Sequence, residues 1–346
     1  MQLGRWIHTG GLLLGLSLLL GGCATAPKTS TSASLDQLLA DPALHGASVS
    51  LMVRDARSGN TLYQHNPRTR LTPASSLKLL TTAAAMDVLG PQYRFSTQLL
   101  SDGIRQGAVL DGNLYLRGLG DPTIQWADYQ ALAANLAQQG IVVQGRRMIG
   151  GVTPTTATVL ALHESAPLQE LITPLLKLSN NNMSEALLKS MGRKTVNAGT
   201  APAGVAAVAG FLKRQGIDTA TLNQVDGSGL SRRNLVSSQN LTDVLLAASK
   251  QPWFNAWYNA LPVAGNPQRL VGGSLRYRLR GSAAENNLHG KTGSMSGVSS
   301  LTGYVTDANG RKLVFSMVTN NYVVAGARVK ALENRLATAL ANSTDY

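Results

Sequence analysis

Cysteine is almost missing from this chain, with one residue, Cys23, among 346. A lone thiol excludes a disulfide framework and any metal site built from several cysteines. Histidine offers no substitute: His8, His45, His65, His163 and His289 show no ligand spacing, so neither a metal nor a cofactor is expected. Aromatic residues make up only 5%, and no nucleic-acid-binding motif accompanies the positive charge, which sets nucleic acid aside as a partner. No apolar run reaches the ~20 residues of a membrane span. The 35 glycines follow no triplet period, which excludes a collagen-like chain. Acidic residues are scarce, 18 against 31 lysines and arginines, leaving a net charge of +13. Such a surplus fits either a plain basic surface or an anionic neighbour such as cell wall or outer-membrane lipid. Its densest local sets are Arg276, Arg278 and Arg280, and the pair Arg232 and Arg233.

What is present begins with an address. Residues 1–22 carry one charge, Arg5, then the apolar stretch Gly10–Leu20, then Gly21 and Gly22. That order is the charged, apolar and small-residue pattern of a secretory signal. The run Leu20-Gly21-Gly22-Cys23 resembles a bacterial lipobox. The resemblance implies lipidation of Cys23, export, and a membrane anchor facing the periplasm. Ala24 in place of Asp implies outer-membrane sorting in a Gram-negative cell. Residues 23–33 then read as a small, polar tether.

The folded part is expected over residues 34–346. Ser34 with Gln37 reads as the capping box of a short helix ending near Ala40. Strands are predicted at Ala47–Arg54 and Thr61–His65, joined by Ser58-Gly59-Asn60. A helix over 75–89 stops at Gly90-Pro91. Shorter strands are expected near Phe95–Leu100 and Asn113–Arg117, a helix over 126–139, a loop over 150–158, and helices over 168–177, 182–192 and 202–215. Lys291–Gly293, Val298–Thr306 and Lys312–Thr319 read as consecutive antiparallel strands, the last two joined by Asp307-Ala308-Asn309-Gly310. A helix over 325–341 closes the chain. The fold class is therefore α/β of the α+β kind: one antiparallel sheet from both ends of the chain (about 34–74 and 285–346), flanked by helices, with a helical region between.

Three short motifs carry chemistry. Ser75 and Lys78, within Pro73-Ala74-Ser75-Ser76-Leu77-Lys78, share a helix face. A serine needs a base to become a nucleophile, and a lysine with a depressed pKa can be that base. Ser75 also sits at a helix N-terminus, where free N–H groups favour a developing oxyanion. Alone, the pair reads equally as a helix cap followed by a solvated lysine. Ser179-Asn180-Asn181 opens the next long helix: Ser179 could relay a proton, and Asn181 could reach Lys78 and a substrate carbonyl. Lys291-Thr292-Gly293-Ser294 lies on a strand. Lys291 and Thr292 could bind a terminal carboxylate, Gly293 could let a substrate backbone approach, and the N–H groups of Ser294 and Ser75 could form an oxyanion hole.

The three motifs in this order are those of penicillin-binding proteins and class A β-lactamases. Asp226-Gly227-Ser228-Gly229-Leu230-Ser231, Gly120-Asp121-Pro122, Leu261-Pro262-Val263-Ala264-Gly265 and Gly273-Ser274-Leu275-Arg276 narrow this further. Over roughly residues 35–340 the chain resembles the D-alanyl-D-alanine carboxypeptidase/endopeptidase family, the PBP4-like peptidases of family S13. The resemblance implies the penicillin-binding, β-lactamase-like transpeptidase fold and Ser75 as nucleophile. It implies peptidoglycan stem peptides as substrates and β-lactams as covalent inhibitors. One departure stands out. Members of this family carry large extra domains between the first two motifs, whereas only 100 residues separate Lys78 from Ser179. The loop at 150–158 is the expected position of the missing insertion.

Two other functions share part of this pattern. A β-lactamase needs a deacylating glutamate on a loop after the second motif, but between Asn181 and Lys291 only Glu185 and Glu285 occur, neither on such a loop. A catalytically silent, lipid-anchored wall-binding protein would not require three intact motifs. His289, Asp121 and Asp226 are expected to pack or to bond turns.

Overall fold

The computed structural model describes residues 30–141, 153–220 and 222–346. The expected signal, Cys23, most of the tether and the first part of the 150–158 loop lie outside these residues. The first helix, α1 (Thr31–Leu39), starts four residues earlier than expected, because Ser30 and not Ser34 caps it, accepting from Ala33 N. Thr31 N–H also donates to Asp345 at 2.8 Å, and the Thr31 hydroxyl to Ser343 at 3.0 Å. Residues 31–33, assigned to the tether, are thus pinned to the C-terminus.

The main sheet is built from β1 (Ser48–Asp55) and β2 (Thr61–His65) at one end of the chain. Its remaining strands, numbered with the rest of the chain, are β8 (His289–Met295), β9 (Val298–Thr306) and β10 (Lys312–Asn320). Its order is β2-β1-β10-β9-β8, antiparallel throughout. The strand alternation sorts side chains between two cores. Leu51, Val53, Leu313, Phe315 and Met317 face α1 and the terminal helix α10 (Gly326–Ala341). Val314, Val318 and Tyr304 face the helical region on the other side.

That helical region comprises α2 (Lys78–Val88), α4 (Leu168–Leu178), α5 (Asn181–Val196), α6 (Ala201–Arg214), α7 (Ser238–Ala248), α8 (Phe254–Ala260) and the single turn α9 (Arg269–Gly272). α2 is buried on nearly every side, from Lys78 to Met86. Between α2 and α4 the chain makes a satellite unit. Strands β3 (Ser96–Ser101), β6 (Leu114–Gly118) and β7 (Thr158–Glu164) form a sheet in the order β6-β3-β7. The short β4 (Ile104–Gln106) and β5 (Val109–Asp111) pair as a hairpin, and α3 (Trp126–Gln138) covers the sheet. Leu99, Leu132, Leu136, Ile141 and Ala161 give it a core of its own. β7 begins at Thr158, inside the expected loop, so the space between the first two motifs holds a small folded unit. Among the described residues, no single helix is long and apolar enough to cross a membrane.

Candidate active site

Ser75 does not start an α-helix, as the sequence predicted. It lies in a 3-10 turn, Ala74–Leu77, that leads into α2 at Lys78. Ala74 ahead of it sits at φ +47°, a conformation that costs a residue with a side chain about 1–3 kcal/mol. The surroundings enforce it from two directions. On one side Gly229, at φ +83°, lies against Ala74, and a methyl there would stand 1.9 Å from the Ala74 carbonyl oxygen. On the other side β8 passes so close that a methyl on Gly293 would stand 2.5 Å from Pro73 O and 3.0 Å from Ser75 N. Ser300 on β9 donates to Pro73 O at 2.8 Å and meets the Ser76 hydroxyl at 2.7 Å. The glycine of the third motif therefore makes room for the nucleophile's own turn.

Lys78 is fully buried, and its Nζ has three partners: Ser75 Oγ at 3.0 Å, Asn181 Oδ1 at 2.7 Å and the Ser228 carbonyl at 2.7 Å. Burial lowers its pKa from 10.5 to about 8, against the attraction of Asp226 and then Glu185, which raises it. The first two motifs thus meet as expected, with Asn181 at the first turn of α5. Ser179 is different. It is the left-handed C-cap of α4, and among the described residues its hydroxyl has no hydrogen-bond partner, so no relay to Lys78 is formed.

Ser228 and Glu185 are site residues that sequence reasoning did not assign. The Asp226–Ser231 run is a loop laid against α2 and the Ser75 turn, with Thr81 donating to Gly227 O at 2.8 Å. Asp226 accepts from Gly229 N at 2.8 Å, Ser231 N at 2.7 Å and Asn234 Nδ2 at 2.8 Å, which is the turn-bonding role expected of it. Glu185, one turn along α5 from Asn181, accepts from Gly227 N at 3.0 Å and from Ser228 N at 2.9 Å. These bonds hold the Ser228 carbonyl on Lys78. The signal was in the sequence, since glycines flank Ser228 where a neighbouring backbone leaves no room for a side chain.

β8 is an edge strand. Gly290 N–H points away from β9, to Pro262 O at 2.9 Å, so by the period of two the N–H of Ser294 faces the open edge as well. Lys291 is less open than expected. It is fully buried, and its Nζ donates to the carbonyl of its neighbour Thr292 at 2.7 Å. Burial, then the charge of Lys78, holds its pKa well below the lysine range. The Thr292 hydroxyl donates to Ser274 Oγ at 2.7 Å, which brings in the Gly273–Arg276 turn.

His289 stacks on Tyr258, with ring centroids 4.3 Å apart, and is a packed residue as predicted. Asp121 Oδ1 accepts from Thr123 N at 2.8 Å, again a turn bond. The basic set at 276–280 is not one outward patch: Arg278 pairs with Glu333 at 2.9 Å, while Arg276 and Arg280 flank Tyr277. Among the described residues, no three His, Cys, Asp or Glu side chains group as a metal site.

The sequence profile of the D-Ala-D-Ala carboxypeptidase 3 (S13) family matches residues 31–149 and 129–343. The chain belongs to that family. A D-alanyl-D-alanine carboxypeptidase of Actinomadura sp. (strain R39) is 30% identical, covering 95% of this chain and 88% of the relative. That alignment runs over 476 positions against 346 residues here, so at least 130 positions of the relative have no counterpart in this S13 chain. Carboxypeptidase DacB of Mycolicibacterium smegmatis is 28% identical over 86% of this chain and 81% of its own length. The crystal structure of penicillin binding protein 4 (dacB) from Haemophilus influenzae, complexed with a β-lactam, superposes with a TM-score of 0.78 at 22% identity, covering 90% of this chain and 98% of that one. The fold is the penicillin-binding fold anticipated from the motifs.

Proposed function

We propose that this S13 chain is a serine-type D-Ala-D-Ala carboxypeptidase that removes the terminal D-alanine of peptidoglycan stem peptides through an acyl-enzyme on Ser75. One observation carries the reading. Two of the three partners of Lys78 Nζ, Asn181 Oδ1 and the Ser228 carbonyl, can only accept hydrogen bonds. A neutral lysine gives its two hydrogens to them. Its lone pair is then left facing Ser75 Oγ at 3.0 Å, within reach of the proton a general base must take.

The steps follow. Ser75 Oγ attacks the carbonyl carbon between the two D-alanines as Lys78 takes the hydroxyl proton. The N–H groups of Ser75 and Ser294 stabilise the oxyanion. The tetrahedral centre collapses, the C–N bond breaks, and the leaving amine takes a proton from Lys78, with the Ser179 hydroxyl as the intervening relay once substrate is bound. Water then attacks the ester, Lys78 again acts as base, and the shortened peptide leaves with Ser75 restored. The Thr292 hydroxyl holds the substrate's terminal carboxylate, and the Lys291 amine behind it steadies Thr292 by donating to its carbonyl at 2.7 Å.

A D-alanyl cross-link presents the same bond, so endopeptidase cleavage uses the same residues. β-Lactams enter the first half-reaction and stay as the acyl adduct. Among the described residues no carboxylate is free at Ser75, which supports slow release. Among the described residues Glu185 is held by Gly227 and Ser228, and Glu285 by Gly281 N at 2.7 Å. Lipidation at Cys23, with a periplasm-facing membrane anchor, completes the proposal and rests on the lipobox-like run alone.

The test is the Ser75→Ala variant with an acyl-D-Ala-D-Ala peptide. D-Alanine release stops while the thermal midpoint holds; release at the wild-type rate refutes the assignment.

A further inference from the structure

Two adjoining hollows, about 430 Å³ and 340 Å³, lie between α5 and the satellite unit. Both are lined by Leu119, Ser190 and Arg193, so they form one cleft. One wall is the face of α5 that carries Asn182, Glu185, Lys189 and Arg193, three or four residues apart. The other is the chain leaving β6 at Gly118–Gly120, and beyond it Arg94. The cleft opens beside the active site, because Asn182 follows the Asn181 that touches Lys78. Lys189 and Arg193 lie about 12 and 18 Å further along the helix axis.

The charge in the cleft is one-sided. Lys189, Arg193 and Lys194 are exposed, and among the described residues none has an ion-pair partner. Arg94 donates to the Ser165 carbonyl, which leaves its charge uncompensated. The single lining carboxylate, Glu185, has its oxygens turned to Gly227 N and Ser228 N. A concave row of cations between low-dielectric walls concentrates anions.

We propose that this cleft binds the carboxylates of a peptidoglycan strand whose stem peptide occupies the active site. The inference rests on the carboxypeptidase reading and adds a second contact to it. An extended peptide advances roughly 3.3 Å per residue, so four to six residues span from Lys78 to the cations. The cell-wall peptide is a carboxylate-bearing polymer, and on the carboxypeptidase reading it is the substrate that occupies the near end of the cleft. The basic surplus seen in the composition thereby acquires a local use.

The test compares wild type with Lys189→Gln/Arg193→Gln/Lys194→Gln and with the corresponding triple Glu variant. None of these residues belongs to the catalytic site. D-Alanine release is measured on a short, uncharged acyl-D-Ala-D-Ala peptide and on sacculi stripped of phosphate polymers. Retention on the same sacculi is measured at low and high salt, and penicillin labelling of Ser75 reports folding. Release from the short peptide stays within about twofold, while release from and retention on sacculi fall ~10-fold at low salt and converge at high salt, as screening of exposed charges requires. Equal behaviour on sacculi overturns the proposal. So does a loss seen only on sacculi that keep phosphate polymers, which assigns the cleft to phosphate, and so does an equal loss on both substrates. If wild type releases D-alanine from neither substrate, the carboxypeptidase reading fails, and sacculus retention still decides the cleft.

Discussion

The pH dependence of Ser75 acylation follows from the burial of Lys78. Only the neutral amine can take the serine proton, so acylation tracks the deprotonated fraction of Lys78. With its pKa lowered to about 8, roughly one molecule in ten is ready at pH 7. A lysine left at its ordinary 10.5 would be ready in about one in three thousand, so burial contributes a factor of ~300. The acylation rate constant should therefore climb about ninefold from pH 6 to pH 7, about fivefold more by pH 8, and level off near pH 9. Stopped-flow acylation by a fluorescent penicillin, run with a constant β-lactam stability control, reads this directly. Glu185→Gln adds a check of sign. Removing a negative charge that favours the ammonium lowers the Lys78 pKa, so the limb moves to lower pH. A rate flat from pH 6 to pH 9, or a limb centred near the ordinary lysine value, refutes the role given to Lys78. A Glu185→Gln limb displaced to higher pH refutes the electrostatic account.

Two further outcomes bear on the architecture. Gly293→Ala places a methyl 2.3 Å from Ser300 Oγ and 2.5 Å from Pro73 O. The overpacking should cost about 1–3 kcal/mol in urea unfolding and displace the Ser75 turn enough to slow penicillin acylation ~100-fold. Unchanged acylation would show that β8 does not fix the nucleophile. Stability should rise from neutral to mildly alkaline pH. Lys78 and Lys177, both buried and both lowered to about 8, lose a proton in the folded state before the unfolded state does. Each contributes about 1.3 kcal/mol of added stability between pH 7 and pH 9, below the range where tyrosines ionise. Urea melts at the two pH values measure it, and a fall in stability would contradict the burial of these lysines.

The motifs and the outer strands were legible because each is set by local chemistry. β9 reads as a strand in sequence and occupies the predicted Val298–Thr306. Pairing between residues far apart in sequence was less visible. β7 is a short, half-exposed strand whose partner β3 lies some sixty residues earlier, and beyond Thr158, the last residue of the expected loop, the local pattern marks no strand. The helix α7 went unread despite its Ser237/Asn240 capping box and buried Leu241, Val244 and Leu245. Of the site, Ser75, Lys78 and Asn181 came from motif spacing. The Ser228 carbonyl and the Glu185 clamp depend on a loop folding back onto α2, which spacing does not encode. The start of α2 was misplaced for a related reason: the clamp on Ala74 forces a 3-10 turn where helix periodicity alone would begin an α-helix.

The central claim is that Ser75 is a nucleophile activated by Lys78, in a site where, among the described residues, no carboxylate is free to release the acyl group. Intact mass of the full chain, followed over time after addition of penicillin, tests it most directly. The account predicts a persistent one-to-one adduct that peptide mapping places on Ser75 and that Lys78→Met fails to form. An adduct that clears within seconds while penicillin is consumed, or no adduct at all, would contradict it.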